Sequence, residues 1–260
     1  MTRITIKEII KKKGKKKIPC LTAYSKTVAE VLDKYCDIIL VGDSLGMVLY
    51  GNKSTREVRM DTMILHAKAV RKSTKRSLVV CDMPYKSYEN KFLAYKNAKR
   101  IMKLTKCHAI KMEGGKEIVD TISFLVKKKI PVMGHVGLLP QQSRNFTYKG
   151  KTNLEKKKIF KDAVAICNSG AFAIVMECIV ESLAKKITKN ISVPTIGIGS
   201  SKFCDGQILV TDDMTGLSNF YPKFVKKYSN LKKIIEKSVR KYCHEVKYGK
   251  FPSSRYVYKI

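Results

Sequence analysis

The sequence predicts one α/β domain over residues 1–260, a (β/α)8 TIM barrel. Eight short apolar or β-branched runs recur along the chain, and stretches with helical spacing of apolar residues separate them. Eight is the strand count that closes such a barrel. The length of 260 residues fits the roughly 250 typical of this fold. An open doubly wound sheet is the competing architecture, but no G-x-G-x-x-G joins the first strand to its helix.

The strands are expected at 18–23, 38–43, 78–82, 109–113, 131–135, 171–177, 194–199 and 208–212. The first helix is expected over 26–34, where Val28, Ala29, Val31 and Leu32 are apolar, and the second over 61–73, with Ile64, Leu65, Ala67 and Ala69 near one face. Phe92, Ala94, Ala98, Ile101 and Met102 mark a helix over 90–106, and Ile118, Val119, Ile122 and Leu125 mark one over 117–126. Helices at 155–168 and 181–188 follow, then a longer helical tail from about 223 to 246. These spacings approximate the 3.6-residue period. No Pro-, Gly- or Ser-rich linker and no internal repeat divides the chain.

Composition removes several function classes. No apolar stretch reaches the ~18 residues of a membrane-spanning helix, and the basic N-terminus lacks the apolar core of a signal peptide. The eight cysteines form no C-x-x-C pair. They read as small core hydrophobes in a reducing cytoplasm, which argues against zinc. Lys and Arg number 53 against 21 Asp and Glu, a net charge of +32, yet only nine of the 53 are Arg. The lysines are spread over the chain without interleaved aromatics, so a solvated lysine surface is favoured over a specific nucleic-acid site.

Four of the scarce acids, Asp43, Asp82, Glu113 and Glu177, each close an apolar run expected as a strand. Barrel active sites are built at the C-terminal ends of the strands. Carboxylates converging there repel one another unless a cation, a proton or both sit between them. Singly, Asp43 and Asp82 could be helix N-caps. Together with Glu113 they favour a hard ion such as Mg2+, which takes oxygen ligands and keeps several waters. Lys111 shares a strand face with Glu113 two residues on and would bind an anionic group. His135 ends a fifth run and is a candidate substrate contact. Glu177, among Ile174, Val175, Met176 and Ile179, suits a general base.

The order and spacing of the strand-end motifs then resemble one family. The segments include Leu21-Thr22-Ala23-Tyr24, Val41-Gly42-Asp43-Ser44-Leu45-Gly46-Met47, Asp82-Met83-Pro84, Lys111-Met112-Glu113-Gly114-Gly115, Gly134-His135-Val136-Gly137-Leu138, Glu177-Cys178 and Cys204-Asp205-Gly206-Gln207. The chain resembles the ketopantoate hydroxymethyltransferases of pantothenate synthesis over nearly its whole length. The resemblance implies a cytoplasmic homodecamer, one Mg2+ per subunit, and 5,10-methylenetetrahydrofolate as cosubstrate for 3-methyl-2-oxobutanoate. It implies Asp43, Asp82 and Glu113 at the metal, Glu113 through a water. Asp43, Ser44, Asp82 and Lys111 are implied on the oxo acid, and Glu177 as proton acceptor. No membrane or specific nucleic-acid partner goes with it.

Two departures stand out. Ser25 follows Thr22-Ala23-Tyr24 where the family usually has Asp, and the segment 142–150 is short and lacks a Gly-Gly pair. A glycine-poor loop there would be stiffer. The alternative function is another Mg-dependent barrel lyase or mutase acting on small oxo acids. Those enzymes carry a Cys-containing catalytic motif near mid-chain, and Lys111 to Gly115 has none.

Overall fold

The computed structural model describes residues 2–143, 146–218 and 221–259. Among them, eight strands pair in chain order and close on themselves: β1 (Ile18–Thr22), β2 (Ile38–Val41), β3 (Leu78–Asp82), β4 (Ala109–Lys111), β5 (Val132–Gly137), β6 (Ala173–Glu177), β7 (Thr195–Ile198) and β8 (Gly206–Leu209). All pairings are parallel, including the closing one between β1 and β8. The expected (β/α)8 barrel is the observed fold.

Side chains alternate across the strands, and the alternation divides the apolar residues into two layers. Ile18, Cys20, Ile38, Leu40, Leu78, Val80, Ala109, Met133, Ala173, Val175, Ile196 and Ile208 pack together inside the barrel. Ile39, Val41, Val79, Cys81, Ile110, Val132, Val136, Ile174 and Met176 belong to the larger layer, shared with the helices. The inward parity carried one step further reaches Asp82, Lys111, His135 and Glu177. The rule that fills the core therefore delivers these four polar groups to the barrel mouth.

The helices are α1 (Ile6–Lys11), α2 (Lys26–Leu32), α3 (Leu45–Leu49), α4 (Met60–Ser73), α5 (Lys91–Thr105), α6 (Val119–Lys127), α7 (Asn153–Asn168), α8 (Glu181–Asn190), α9 (Thr211–Met214) and α10 (Leu231–Lys247). Side-chain caps set several starts. Ser25 accepts from the Val28 N–H, Asn90 from those of Phe92 and Leu93, and Thr152 from that of Glu155. Ser25, the departure from the family pattern, thus acts as a helix cap.

The structure departs most from the sequence expectation at β8, at the start of α10 and at α1, which was not expected. β8 begins at Gly206 and ends at Leu209, because α9 takes over at Thr211. Gly206 carries no apolar signal, yet a Cβ there would lie 2.5 Å from the Ile18 carbonyl oxygen, so only glycine allows β8 to approach β1. α10 begins at Leu231, where the Asn230 side chain accepts from the Lys233 N–H, and not near 223. The short helix α1 has no long apolar stripe and is instead set by a capping box between Thr5 and Glu8.

Contacts gather the chain into two units, Met1–Val210 with all eight strands, and Thr211–Ile260. Within the second, α10 has no buried residue, and Ile234, Ile235, Val239, Tyr242 and Val246 are exposed.

Candidate active site

Asp43, Asp82, Lys111, Glu113 and His135 are all buried at the C-terminal ends of β2 to β5, and Glu177 ends β6 with its side chain 17% exposed. Asp82 faces Lys111 across the β3–β4 register. Its Oδ1 accepts from the Lys111 ammonium at 2.7 Å, and its Oδ2 accepts from the Asp43 backbone N–H at 3.1 Å. Asp43 is not a helix cap: its Oδ2 accepts from the Gln141 side-chain amide at 2.7 Å. Ser44 starts α3 without a side-chain cap bond, and its hydroxyl lies 2.8 Å from that of Tyr24.

Glu113 continues the β4 ladder, since Met112 donates to the Met133 carbonyl and Gly114 to that of His135. Its Oε1 accepts from the Gln141 backbone N–H at 2.6 Å. Its Oε2 lies 3.6 Å from His135 Nδ1, while His135 Nε2 lies 3.3 Å from Glu177 Oε2. Neither ring nitrogen makes an aligned hydrogen bond, although the residue is only 2% exposed. Buried polar groups are rarely left so. Gly137 makes the β5–β6 approach possible: its φ is +101°, and a Cβ would lie 2.3 Å from the Glu177 carbonyl oxygen.

Burial, and then the Asp82 charge, push the Asp43 carboxyl up to about 7. Glu113 is raised well above the usual range by burial and then by Asp43. Burial alone would lower Lys111, but Asp82, Asp43 and Glu113 outweigh it and keep the ammonium charged. Burial holds His135 neutral, with Glu177 opposing. The mouth therefore holds more carboxylate than its one lysine can neutralise, which invites a cation or a proton.

The donor set fits a magnesium ion. Among the described residues no three His, Cys, Asp or Glu side chains converge as a ready-made metal cage, and Glu113 Oε1 is engaged by Gln141. Magnesium needs only one or two carboxylates, with waters and substrate oxygens filling the rest. Asp43 and Asp82 can supply the first, and Glu113 can bind an outer water.

Sequence reasoning missed Gln141, the residue that joins the site. It is 2% exposed. Its amide donates to Asp43 and to the Met83 carbonyl, and its oxygen accepts from the Tyr88 hydroxyl at 2.6 Å. It lies in the irregular loop after β5, where no periodicity marks it. Its only sequence signal is its place after the strand-end motif and Pro140. Tyr88 joins the same group through the Glu113 carbonyl at 3.2 Å. Of the segment 142–150, Arg144 and Asn145 lie outside the described residues.

The chain is similar to known proteins over nearly its whole length. A profile described as ketopantoate hydroxymethyltransferase matches residues 3–254. A protein of Pelagibacter ubique (strain HTCC1062) named 3-methyl-2-oxobutanoate hydroxymethyltransferase is 52% identical over 253 residues, 97% of this chain and 98% of its own. One of the same name from Anaplasma marginale (strain Florida) is 50% identical over 258 residues, 98% and 93% of the two chains. Among solved structures, phosphonopyruvate hydrolase with oxalate and Mg++ superposes with a TM-score of 0.64 at 13% identity, covering 100% of this chain and 93% of that one. A 2,3-dimethylmalate lyase of the PEP mutase/isocitrate lyase superfamily also scores 0.64, at 12% identity over 99% and 89% of the chains. At such identities these two speak for the barrel alone. The profile match and the relatives at about half identity make this chain an enzyme of the ketopantoate hydroxymethyltransferase family.

Proposed function

We propose that the chain transfers a hydroxymethyl group from 5,10-methylenetetrahydrofolate to 3-methyl-2-oxobutanoate, giving 2-dehydropantoate in pantothenate synthesis. The observation that carries this reading is the buried His135 imidazole between Glu113 and Glu177, beside the Asp82–Lys111 pair. A neutral ring with no aligned protein partner is suited to hydrogen-bond an oxo acid.

Asp43 and Asp82 would hold Mg2+, which supplies Lewis acidity toward the oxo and carboxylate oxygens. Lys111 adds fixed positive charge on the same side, where negative charge develops at the C2 oxygen. Glu177 removes the proton from C3, and its partial exposure leaves a route for returning that proton. Ser44, held by Tyr24, contacts the oxo acid. C3 then forms the new bond to the one-carbon unit. The net transfer consumes one water, places a hydroxymethyl group on C3 and releases tetrahydrofolate. A cytoplasmic homodecamer acting only on these small molecules, with residues 1–260 as one catalytic domain, completes the reading. Among the described residues no helix is long and apolar enough to cross a membrane.

The test is solvent deuterium exchange at C3 of 3-methyl-2-oxobutanoate, with Mg2+ and without folate. General-base removal is worth roughly 100- to 10,000-fold, so Glu177→Gln should lose exchange on that scale. Full exchange in that variant removes Glu177 from the role. Folded wild-type protein that forms no 2-dehydropantoate with both substrates overturns the reaction.

A further inference from the structure

Beside the mouth lies a cleft of about 660 Å³ lined by Arg56, Arg59, Tyr85, Lys86, Ser87 and Asn97, among others. Its lining includes Pro84, two residues beyond Asp82 on the loop that leaves β3. Glu57 is the one acid in its lining, and its carboxylate is engaged by the Ser54 N–H. The cleft is thus cationic, and its cations are placed around a ring. Arg56 is anchored by donating to the Gln141 and Gln142 carbonyls at 2.7 and 2.9 Å, and its guanidinium lies 5.1 Å from the Tyr85 ring centroid. The Lys86 ammonium lies 5.8 Å from the same centroid.

Two local features point to a ligand. Lys86 holds φ at 61° in a turn closed by the Ser87 N–H on the Pro84 carbonyl at 3.0 Å, a backbone position that favours glycine. Ser87 is 8% exposed, yet its hydroxyl has no hydrogen-bond partner, while Asn97 fixes its carbonyl at 2.8 Å. An aromatic face, guanidinium and ammonium groups and an unsatisfied buried hydroxyl suit a ligand with both a flat ring and carboxylates. The volume is generous for a five-carbon oxo acid, for which Lys111 and His135 already stand inside the barrel.

We propose that this cleft seats the p-aminobenzoyl-glutamate tail of the one-carbon donor, so that its pterin end reaches the mouth. The inference rests on the folate reading above and deepens it by locating the donor. Tyr85 stacks on the aminobenzoyl ring, and Arg59 and Lys86, both exposed, take the glutamate carboxylates. Arg56, tied to the Gln141 loop, couples an occupied cleft to the residue that organises the carboxylates.

The experiment titrates the full chain with p-aminobenzoylglutamate and its triglutamate, fragments that lack the pterin, with inorganic phosphate as control. Two charge-assisted contacts make about a tenfold effect reasonable. The triglutamate should bind more tightly than the monoglutamate at low salt. The Arg59→Gln/Lys86→Gln variant should lose about tenfold for both, and phosphate should compete poorly. In turnover the variant should raise KM for 5,10-methylenetetrahydrofolate about tenfold, with the oxo-acid KM and C3 exchange unchanged. Wild type binding neither fragment, or the variant binding both as wild type does, overturns the cleft assignment. If turnover and exchange are normal while the variant changes nothing, the cleft alone fails. If the fragments bind as expected but no product forms, the reaction reading fails and the cleft stands.

Discussion

Replacing Gln141 by Leu probes the organisation of the site, because it keeps the backbone bonds to Glu113 and Arg56 and removes only the amide. The lost partners are the Asp43 carboxylate, the Met83 carbonyl and the Tyr88 hydroxyl. Tyr88 keeps a second acceptor in the Glu113 carbonyl at 3.2 Å, so its share is small. Loss of a bond to a charged group costs about 1.5–3 kcal/mol and loss of a neutral one about 1 kcal/mol. Together these give a loss near 3 kcal/mol, or about 6–12 °C in Tm for a barrel of this size.

The loss should also depend on pH. Asp43 is pushed up to about 7. Below that it is protonated in the fold and can do without a donor; above it the carboxylate is charged and the missing amide is felt in full. Gln141→Leu should therefore be more destabilising at pH 8 than at pH 6, relative to wild type at each pH. Gln141→Glu, of the same shape but with an acceptor in place of the donor, should show the trend more steeply. Melting of the metal-free proteins at both pH values is the assay. A Tm change under about 2 °C for Gln141→Leu, or one equal at both pH values, would refute Gln141 as the group that compensates Asp43.

Magnesium should compete with the Asp43 proton, so its affinity should tighten about tenfold per unit of pH below 7 and level off above. Calorimetry in buffers of different ionisation enthalpy should find close to one proton released per ion at pH 6, and none released there would remove Asp43 from the metal. At the other end of the barrel, burial and then Arg71 and Arg3 lower His108 from 6.5 to about 4. The unfolded chain binds a proton on this ring below pH 6.5 and the fold does not, so stability falls as pH drops from about 6.5 toward 4. The full displacement corresponds to roughly 3 kcal/mol, which solvent screening of a partly exposed ring reduces to about 1–2 kcal/mol. Denaturation at pH 7.5 and 5 should show His108→Gln losing less stability than wild type by about 1 kcal/mol, and equal losses would exclude the ring as the source.

The barrel was legible because inward and outward apolar residues alternate along strands that need no loop to define them. Asp82, Lys111 and Glu177 were legible for the same reason, as polar groups continuing the inward parity of Val80, Ala109 and Val175. Gln141 was not, because an irregular loop has no period and a glutamine has no distinctive charge. β8 was misplaced because Gly206 shows its importance only through the backbone it allows to come near. The start of α10 depends on Asn230, one capping side chain after a stretch with helix-like composition.

Residue type does not separate the acids of the candidate site from the structural ones. Asp33 and Asp205 are as buried as Asp43 and also lie beside strand ends. Burial pushes both up, but Asp33 accepts backbone N–H groups from Lys75, Arg76 and Ser77, and Asp205 accepts from Lys13, Gly14 and Thr195. Those bonds outweigh desolvation and hold both below the usual carboxylate range. Nothing is left over for a ligand to satisfy. At the opposite mouth each donor serves several acceptors: one lysine stands against Asp82, Asp43 and Glu113, and one glutamine ties Asp43 to Glu113. The remainder appears as a raised Asp43, a raised Glu113 and a histidine with no aligned partner. Such a deficit costs stability in the free protein, and a bound cation or a proton would relieve it. That imbalance, and not the +32 charge of the whole chain, distinguishes the two ends of the barrel.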